Sequence, residues 1–456
     1  MNWNSLLNDN RLGINKTSTK DSLDGRSQFQ KDFDRIVFSP AFRRLQDKTQ
    51  VFPLPESDFV HTRLTHSLEV SVVGRSLGNL VGETIIERNS KLKKQFTKFH
   101  FGDIIAAACL AHDIGNPPFG HSGEDAISEF FRNGNGKDFE DQVGDEKKWD
   151  DLINYEGNAQ GFRIITTLQN PDIKGGLRLT YATLAAFTKY PKESFTSNQL
   201  MYLTKKKAYK KFGFFQSEKE IFKEVAEKTE LDFKNNNNNY WWCRHPLTFL
   251  MEAADDICYR IMDLEDGFRL GLISFVDTEA LMITLVNKNN LMGYMGRDEK
   301  EKIGYLRAKA ISNLVSEVTD TFLNEEENIL SGKLEDDLIS TIPNAKHLEN
   351  IKLVSIDKIY HTRSVVEREV AGYEVLAGLL DTFIHAYNES YAKHPSPKNR
   401  TIISLLPKRI TIDRDGDLYT RLLKITDFVS GMTDSFAVSL FRKIKGISLP
   451  GGRVTE

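Results

Sequence analysis

Apolar residues recur at helical spacing along most of the chain. Between residues 67 and 87 the apolar positions follow a repeat close to 3.6 residues, at Leu68, Val72, Leu77, Leu80, Val81 and Ile85. A repeat of this length is typical of a helix that buries one face. We therefore expect a long helix here whose buried face carries these side chains.

Other segments also predict helices. The stretch DIIAAACLAH, at 103–112, is apolar enough for a buried helix, and Gly115, Pro117 and Pro118 end it. Pro246 suits the first turn of a further helix, because the first N–H groups of a helix have no partner within it. Additional helices are predicted near 299–327, 365–392 and 416–444.

Alternating patterns of the β type are scarce. The best candidates are IKLVSIDKIY near residue 351 and RITIDRDG near residue 409. No shift in composition marks a boundary between modules, and no repeat of solenoid length is present. The sequence therefore predicts an all-α fold with at most a small β element, built as one large domain over residues 1–456.

Composition and charge narrow the class of protein. The chain has 456 residues, of which 40% are hydrophobic and 27% charged, which excludes collagen-like and disordered classes. Lysine and arginine total 61 against 64 acidic residues, so the net charge is −3. This balance excludes a surface that binds nucleic acid over its whole extent, but it leaves room for a local basic pocket.

The expected compartment is the cytoplasm. Cys109, Cys243 and Cys258 are too few and too scattered for a disulfide framework or a thiolate zinc site. The first residues, MNWNSLLNDNRLG, show no basic segment followed by an apolar one, and no run of about 18 apolar residues occurs. We therefore expect a soluble, cytoplasmic protein that does not act at a membrane.

The first candidate chemistry lies where the predicted helix at 103–112 ends. His112 and Asp113 are adjacent there, and an imidazole beside a carboxylate suits a divalent cation. The alternative is that His112 only caps the helix and interacts with its dipole. His66, at the start of another predicted helix, and Arg63 three residues before it show that the pair is not isolated.

A polar stripe runs along the segment MEAADDICYRIMD. Asp255, Tyr259 and Asp263 are four residues apart and share one face of a helix that is otherwise largely apolar. A carboxylate in a buried helix needs a partner, and a metal ion or another cation would serve. A purely structural alternative remains open, in which one of the two adjacent aspartates pairs with Arg260.

Together these residues resemble a known superfamily. The order His66, His112, Asp113, Asp255 is the ligand pattern of the HD superfamily of metal-dependent phosphohydrolases. Longer blocks are similar to the deoxyguanosinetriphosphate triphosphohydrolase (dGTPase) family in particular. This resemblance runs from about Gln28 to beyond Ala437, through FDRIVFSPAFRRLQDKTQVFPL, TRLTHSLEV, AHDIGNPPFGHSGE, LTYATLAAFTKYP, RHPLTFLMEAADDICYRIMDLEDG and SGMTDSFA.

The resemblance implies a fold and a site. It implies an HD-domain helical fold with additional helices, in which a metal-site core at about 60–270 precedes a C-terminal helical part at about 271–456. Asp255 is preferred to Asp256 as a metal ligand because it shares a helix face with Tyr259 and Asp263. The implied residues are, for the metal, His66, His112, Asp113 and Asp255; for the proton chemistry, His121 and Glu124; for the substrate, Arg63, Lys189, Lys211, Tyr259 and Asp263; toward the base, Leu45 and Gln46; and, as a further cation, Arg442.

The implied reaction is hydrolysis of dGTP to deoxyguanosine and triphosphate. Water would attack the α-phosphorus with the help of a divalent metal ion, Mg²⁺ or Mn²⁺. The resemblance also implies a homo-oligomer, often a hexamer, and control by nucleotides or single-stranded DNA.

Two alternatives remain open. The first is a broader dNTP triphosphohydrolase or another HD nucleotide phosphohydrolase. The second is a nucleotide- or single-stranded-DNA-binding regulator in which hydrolysis is secondary. Its support is KKKAYKKFGFF at 205–215, which places aromatic residues between lysines. Lys205, Lys206 and Lys207 in that run are expected to form a solvated basic face.

Overall fold

The computed structural model describes residues 1–14, 25–51, 61–194, 211–234, 239–286, 294, 296–392, 394–408, 410 and 416–448. Helices dominate this part of the chain. The first twelve are α1 (Trp3–Leu6), α2 (Gln28–Val37), α3 (Pro40–Arg44), α4 (Arg63–Arg88), α5 (Lys98–Ala111), α6 (His121–Arg132), α7 (Glu140–Val143), α8 (Glu146–Ile153), α9 (Gly157–Arg163), α10 (Tyr181–Phe187), α11 (Lys219–Thr229) and α12 (Pro246–Arg269). They are followed by α13 (Phe275–Ile283), α14 (Glu299–Asn324), α15 (Glu326–Leu330), α16 (Ala345–Ser355), α17 (Arg363–Tyr391), α18 (Pro397–Ile403), α19 (Leu418–Ser430) and α20 (Asp434–Ile444).

Helices α4 and α5 lie side by side at very short range because glycines line their contact. A Cβ atom at Gly78 would lie 2.8 Å from the Cα atom of Gly102, which leaves no room for a side chain. A Cβ atom at Gly74 would lie 2.6 Å from Sγ of Cys109, and Gly82 is equally confined. The two backbones therefore approach each other closely, and α12 packs against both helices.

The predicted helix over residues 67–87 is confirmed within α4, but its predicted buried face is wrong in part. Three of the expected core positions are exposed instead: Leu68 by 40%, Val72 by 63% and Leu80 by 43%. The buried face is centred on Gly74 and Gly78, which a count of apolar side chains does not register. Close helix contact through small residues, rather than bulk, decides which side of α4 faces inward.

Within the described ranges, the buried apolar side chains form two clusters. One is built mainly around α4, α5, α12 and α14, with Leu77 among its fully buried members. The other is built mainly around α6, α17 and α19, with Phe131 among its fully buried members. The segment between α5 and α6 runs from one cluster to the other, since Ile114 belongs to the first and Phe119 to the second. The division into a metal-site core and a C-terminal part, within one domain, stays a prediction.

The all-α prediction is confirmed, since the described residues form helices and isolated β-bridges but no strand. The β candidate IKLVSIDKIY is wrong, because it forms the end of α16 and a π-helical turn at 356–360. Its buried positions repeat every four residues, as in a helix: Ile351, Ser355 and Ile359. Most of the other candidate, RITIDRDG, lies outside the described residues. In the part of the chain that is described, no helix combines the length and apolar character needed to cross a bilayer.

Gly78→Ala should destabilise the protein, because the added methyl group must push α4 away from α5. Overpacking of this kind costs about 1–3 kcal/mol. Gly304→Ala in α14 is the matched control, since it replaces another helical glycine but has open space around its Cβ atom. Chemical denaturation should show a lower free energy of unfolding for Gly78→Ala only. An undiminished value for Gly78→Ala would contradict the close contact.

Candidate active site

Three helices bring two histidines and two aspartates together. His66 lies in the first turn of α4, His112 and Asp113 directly follow α5, and Asp255 lies in α12. Nε2 of His66 is 3.1 Å from Oδ1 of Asp255, and Nε2 of His112 is 3.5 Å from Oδ1 of Asp113 and 3.6 Å from Oδ1 of Asp255. Ligand atoms of His66, His112 and Asp113 all lie within 4.8 Å of one another. These four residues are called the His/Asp cluster below.

Neighbouring groups orient the His/Asp cluster for a metal ion. Nδ1 of His112 donates to the carbonyl oxygen of Cys109 at 2.6 Å, which leaves the lone pair on Nε2, the atom that faces the carboxylates. Asn116 donates to Oδ1 of Asp113 at 2.5 Å, and Arg63 donates to Oδ2 at 2.8 Å. Imidazole nitrogens and carboxylate oxygens in this proportion fit a divalent ion such as Mg²⁺ or Mn²⁺.

Both carboxyl groups of the His/Asp cluster are held in the ionised form. Burial by itself raises the pKa of Asp113, but the guanidinium of Arg63 and the nearby imidazoles outweigh it and lower the pKa to about 2. Burial also opposes ionisation of Asp255, and His112 and His66 again hold its pKa well below the usual range. Metal ligands need this deprotonated state.

The neighbouring Asp256 is arranged differently. Its carboxylate lies 3.5 Å from Nη2 of Arg260, one helical turn away, rather than beside the histidines. Burial raises the pKa of Asp256 to about 6. The structural alternative for this pair of aspartates therefore applies to Asp256, while Asp255 lies beside His66 and His112. The role of Asp255 as a metal ligand stays a prediction.

His121 and Glu124 form a hydrogen-bonded pair in the first turn of α6. Nδ1 of His121 is 2.7 Å from Oε2 of Glu124, and Oε1 of Glu124 accepts from the backbone N–H of Gly157 at 2.8 Å. The hydrogen bond and charge of Glu124 raise the pKa of His121. The imidazole is 77% exposed while the carboxylate is 11% exposed, so a buried acid orients an accessible ring. Such a pair suits proton transfer.

Arg63 connects the His/Asp cluster to the start of α6. Its Nη1 donates to Asp113, and its Nη2 lies so close to Gly120 that a Cβ atom there would be 2.6 Å away. Its Nε is buried without a hydrogen-bond acceptor among the described residues. A guanidinium with an unused donor beside this cluster is suited to an anionic ligand.

Two lysines supply further positive charge. Nζ of Lys211 is 3.6 Å from Oε1 of Glu156, and Nζ of Lys189 is 3.7 Å from Oε1 of Glu252. Burial lowers the pKa of each ammonium group. Tyr190 and Glu252 outweigh this effect at Lys189. Glu156 and Glu124 outweigh it at Lys211, so both pKa values lie above the ordinary one. Sequence patterns did not reveal Glu156 and Glu252, because no spacing signal links them to their partners.

Tyr259 and Asp263 lie on the same side of α12, and Tyr360 joins them there. The hydroxyl of Tyr360 donates to Oδ2 of Asp263 at 2.5 Å, and its ring stacks against Tyr259 with the centroids 5.8 Å apart. Burial raises the pKa of Asp263 to about 7. Sequence patterns do not indicate a role for Tyr360, because its segment has the pattern of a strand.

The remaining predicted residues are less directly connected to this site. Leu45 is fully buried in the apolar core, and Gln46 beside it is exposed. Arg442 is exposed in the last turn of α20. Their roles toward the base and as a further cation stay predictions. Lys205, Lys206 and Lys207 lie outside the described residues.

Comparisons with known proteins agree with this arrangement. A family profile described as "HD domain" matches residues 63–171, and one described as "Phosphohydrolase-associated domain" matches residues 342–443. The chain is 46% identical to a "Deoxyguanosinetriphosphate triphosphohydrolase-like protein" of Synechocystis sp., over 98% of this chain and 100% of that protein. A protein of the same name from Pseudomonas aeruginosa is 42% identical over 99% and 100%.

A relative without the suffix "-like" is also similar along nearly its whole length. It is the "Deoxyguanosinetriphosphate triphosphohydrolase" of Yersinia enterocolitica, which is 31% identical over 94% of this chain and 95% of that protein. HD domains are metal-dependent phosphohydrolases, and the His/Asp cluster agrees with that character. The chain therefore belongs to the deoxyguanosinetriphosphate triphosphohydrolase family of HD-domain phosphohydrolases.

Proposed function

We propose that the protein hydrolyses dGTP to deoxyguanosine and triphosphate, with water attacking the α-phosphorus. The observation that carries this proposal is the His/Asp cluster together with Arg63, which binds Asp113. Arg63 also lies against Gly120, directly before the His121–Glu124 pair in the first turn of α6. The printed names of relatives that are 31–46% identical over nearly the whole chain support the same substrate class.

The His/Asp cluster is proposed to hold one divalent ion, Mg²⁺ or Mn²⁺. When bound, such an ion lowers the pKa of a water molecule and neutralises charge on phosphoryl oxygens. The chain itself supplies the orientation, since Arg63 and Asn116 fix the carboxylate of Asp113 and the Cys109 carbonyl fixes the ring of His112. Loss of these supporting hydrogen bonds would weaken metal affinity without removing a ligand.

His121 is proposed to donate a proton to the 5′-oxygen that leaves the α-phosphorus. Glu124 raises the pKa of the imidazole, so the protonated form persists to higher pH than in a histidine without this partner. Because Nδ1 faces Glu124, Nε2 is the atom left to give its proton to the substrate. Burial opposes ionisation of Glu124, but the imidazole and Lys211 keep its pKa low, so it stays a hydrogen-bond acceptor.

Arg63, Lys189 and Lys211 are proposed to bind the triphosphate. Each is paired with a carboxylate of the protein, so the polyanion would share or replace partners that already hold these cations in place. Asp263 would accept from the 3′-hydroxyl, and Tyr259 would crowd C2′ so that a ribose 2′-hydroxyl is rejected.

Guanine selectivity is the open part of the substrate assignment. Relatives at 46% and 42% identity carry the suffix "-like", so hydrolysis of several dNTPs is the second candidate function. A single-stranded-DNA-binding regulator rests on residues 205–215, most of which lie outside the described residues. The homo-oligomer, its nucleotide or DNA effectors and the cytoplasmic location stay predictions.

Incubation of the protein with each dNTP, with and without Mn²⁺ or Mg²⁺, tests the reaction. Ion-exchange separation should show deoxyguanosine and tripolyphosphate from dGTP, with turnover abolished by a chelator and restored by the metal. Comparable turnover of the other dNTPs would select the broader activity. Release of dGMP and pyrophosphate, or no turnover in any mixture, would contradict the proposed cleavage at the 5′-oxygen.

The pH dependence of kcat/KM tests the acid role of His121. If the protonated imidazole is active, the rate must fall as pH rises through the pKa of His121. Glu124→Gln removes the charge that raises this pKa, so the falling limb should move to lower pH. Asp125→Asn, which removes a neighbouring carboxylate, is the matched control and should leave the limb nearly in place. A limb that stays put in Glu124→Gln would refute the assignment.

A further inference from the structure

The loop that leads to His121 has an unusual backbone. Phe119 and Gly120, the two residues before α6, both have positive φ angles, of 67° and 63°. Glycine adopts this region freely, whereas a phenylalanine there is strained and needs support from its surroundings. Since His121 follows at once, whatever holds Phe119 also sets the direction in which the imidazole points.

The support for Phe119 comes from the far end of the chain. Its backbone N–H donates to Oδ1 of Asp434, the first residue of α20, at 3.0 Å. Oδ2 of Asp434 accepts from the backbone N–H of Thr49 at 3.2 Å and from its hydroxyl at 2.7 Å. The aspartate is 5% exposed, so it is a buried charge that is satisfied by N–H and O–H donors from two distant segments.

Lys48 makes a second bridge between the same segments. Its Nζ donates to the carbonyl oxygen of Asn116, at the other end of the loop, and to that of Ser430 in α19 at 3.1 Å. Burial lowers the pKa of Lys48 to about 7. The loop before His121 is therefore held at both ends by the 430–434 segment, through Asp434 directly and through Lys48.

We infer that Asp434 is a positioning residue for His121, through which the C-terminal helices set the geometry of proton transfer. This inference rests on the proposed function and assigns a role to the SGMTDSFA segment, which the site described above does not use. Asp434 has no place among the substrate contacts or metal ligands, so its proposed effect on His121 is transmitted through the backbone of Phe119. A misplacement of about 1 Å in a reacting group can cost about 100-fold in rate.

Replacement of Asp434 in the full-length protein tests this role. Asp434→Ala should lower kcat with dGTP by about 10–100-fold while KM and Mn²⁺ affinity stay near the wild-type values. Asp434→Asn should lie between the two, since its amide oxygen can still accept from Phe119. In the His121→Ala background, Asp434→Ala should cause no further loss, because the group that it positions is already absent.

Asp151→Ala is the matched control for a merely structural effect. Asp151 is also a buried aspartate with three donors, Ser194, Gln216 and Tyr419, and it also links the N-terminal half to α19, but it does not contact the loop before His121. Both alanine variants should lower the melting temperature. Below those temperatures only Asp434→Ala should lower kcat, and only Asp434→Ala should speed hydrogen exchange at the amide of Phe119.

Distinct results separate the two proposals. If the wild-type protein hydrolyses no dNTP, the proposed function fails and the positioning role falls with it. If the wild type is active, three results overturn the positioning role alone: an unchanged kcat in Asp434→Ala, equal losses in Asp434→Ala and Asp151→Ala, or an Asp434→Ala loss that persists in the His121→Ala background.

Discussion

The close approach of α4 and α5 is the constraint on which the rest of the site depends. His66 begins one helix and His112 follows the end of the other, and their rings lie 5.4 Å apart because glycines allow the two backbones to meet. Helix α12 packs against this pair and brings Asp255 to 3.1 Å from His66. A single metal ion needs ligand atoms within a few ångströms of one another. The small residues between α4 and α5 therefore bring the members of the His/Asp cluster together.

Local pairing explains how a protein with a net charge of −3 could bind the proposed polyanionic substrate. Arg63, Lys189 and Lys211 are each held by a carboxylate, so their positive charge is fixed in place without a generally basic surface. The pairing with Arg63 also keeps Asp113 ionised, as the low pKa of this carboxyl group shows. The positive charge around the His/Asp cluster therefore comes from a few fixed side chains rather than from a net positive charge of the protein. This arrangement suits a site where phosphate and metal would meet.

Helix periodicity and motif order predicted much of this arrangement, and their failures have physical causes. The all-α fold and the helix of α4 followed from local spacing. The preference for Asp255 over Asp256 combined the helical face with the roles that the family resemblance implies for Tyr259 and Asp263. The buried face of α4 was mispredicted because glycine contacts carry no hydrophobic signal. The position of Tyr360 was not predicted, because its segment is rich in β-branched residues and has the pattern of a strand, although it folds as a helix. The contacts of Glu156 and Asp434 could not be predicted, because their partners are distant in sequence and only folding brings them together.

The most direct test of the metal site is Mn²⁺ binding, measured by electron paramagnetic resonance in variants of the adjacent residues Asp255 and Asp256. It asks whether Asp255 completes one metal site with His66, His112 and Asp113. Wild-type protein should bind one Mn²⁺ per chain at this site. Asp255→Asn should weaken Mn²⁺ binding by more than about 10-fold, because the loss even of a residue that only supports a ligand costs about 10–100-fold in metal affinity. Asp256→Asn, whose carboxylate pairs with Arg260, should bind as the wild type does. Undiminished binding by Asp255→Asn, or its loss in Asp256→Asn alone, would contradict this metal site.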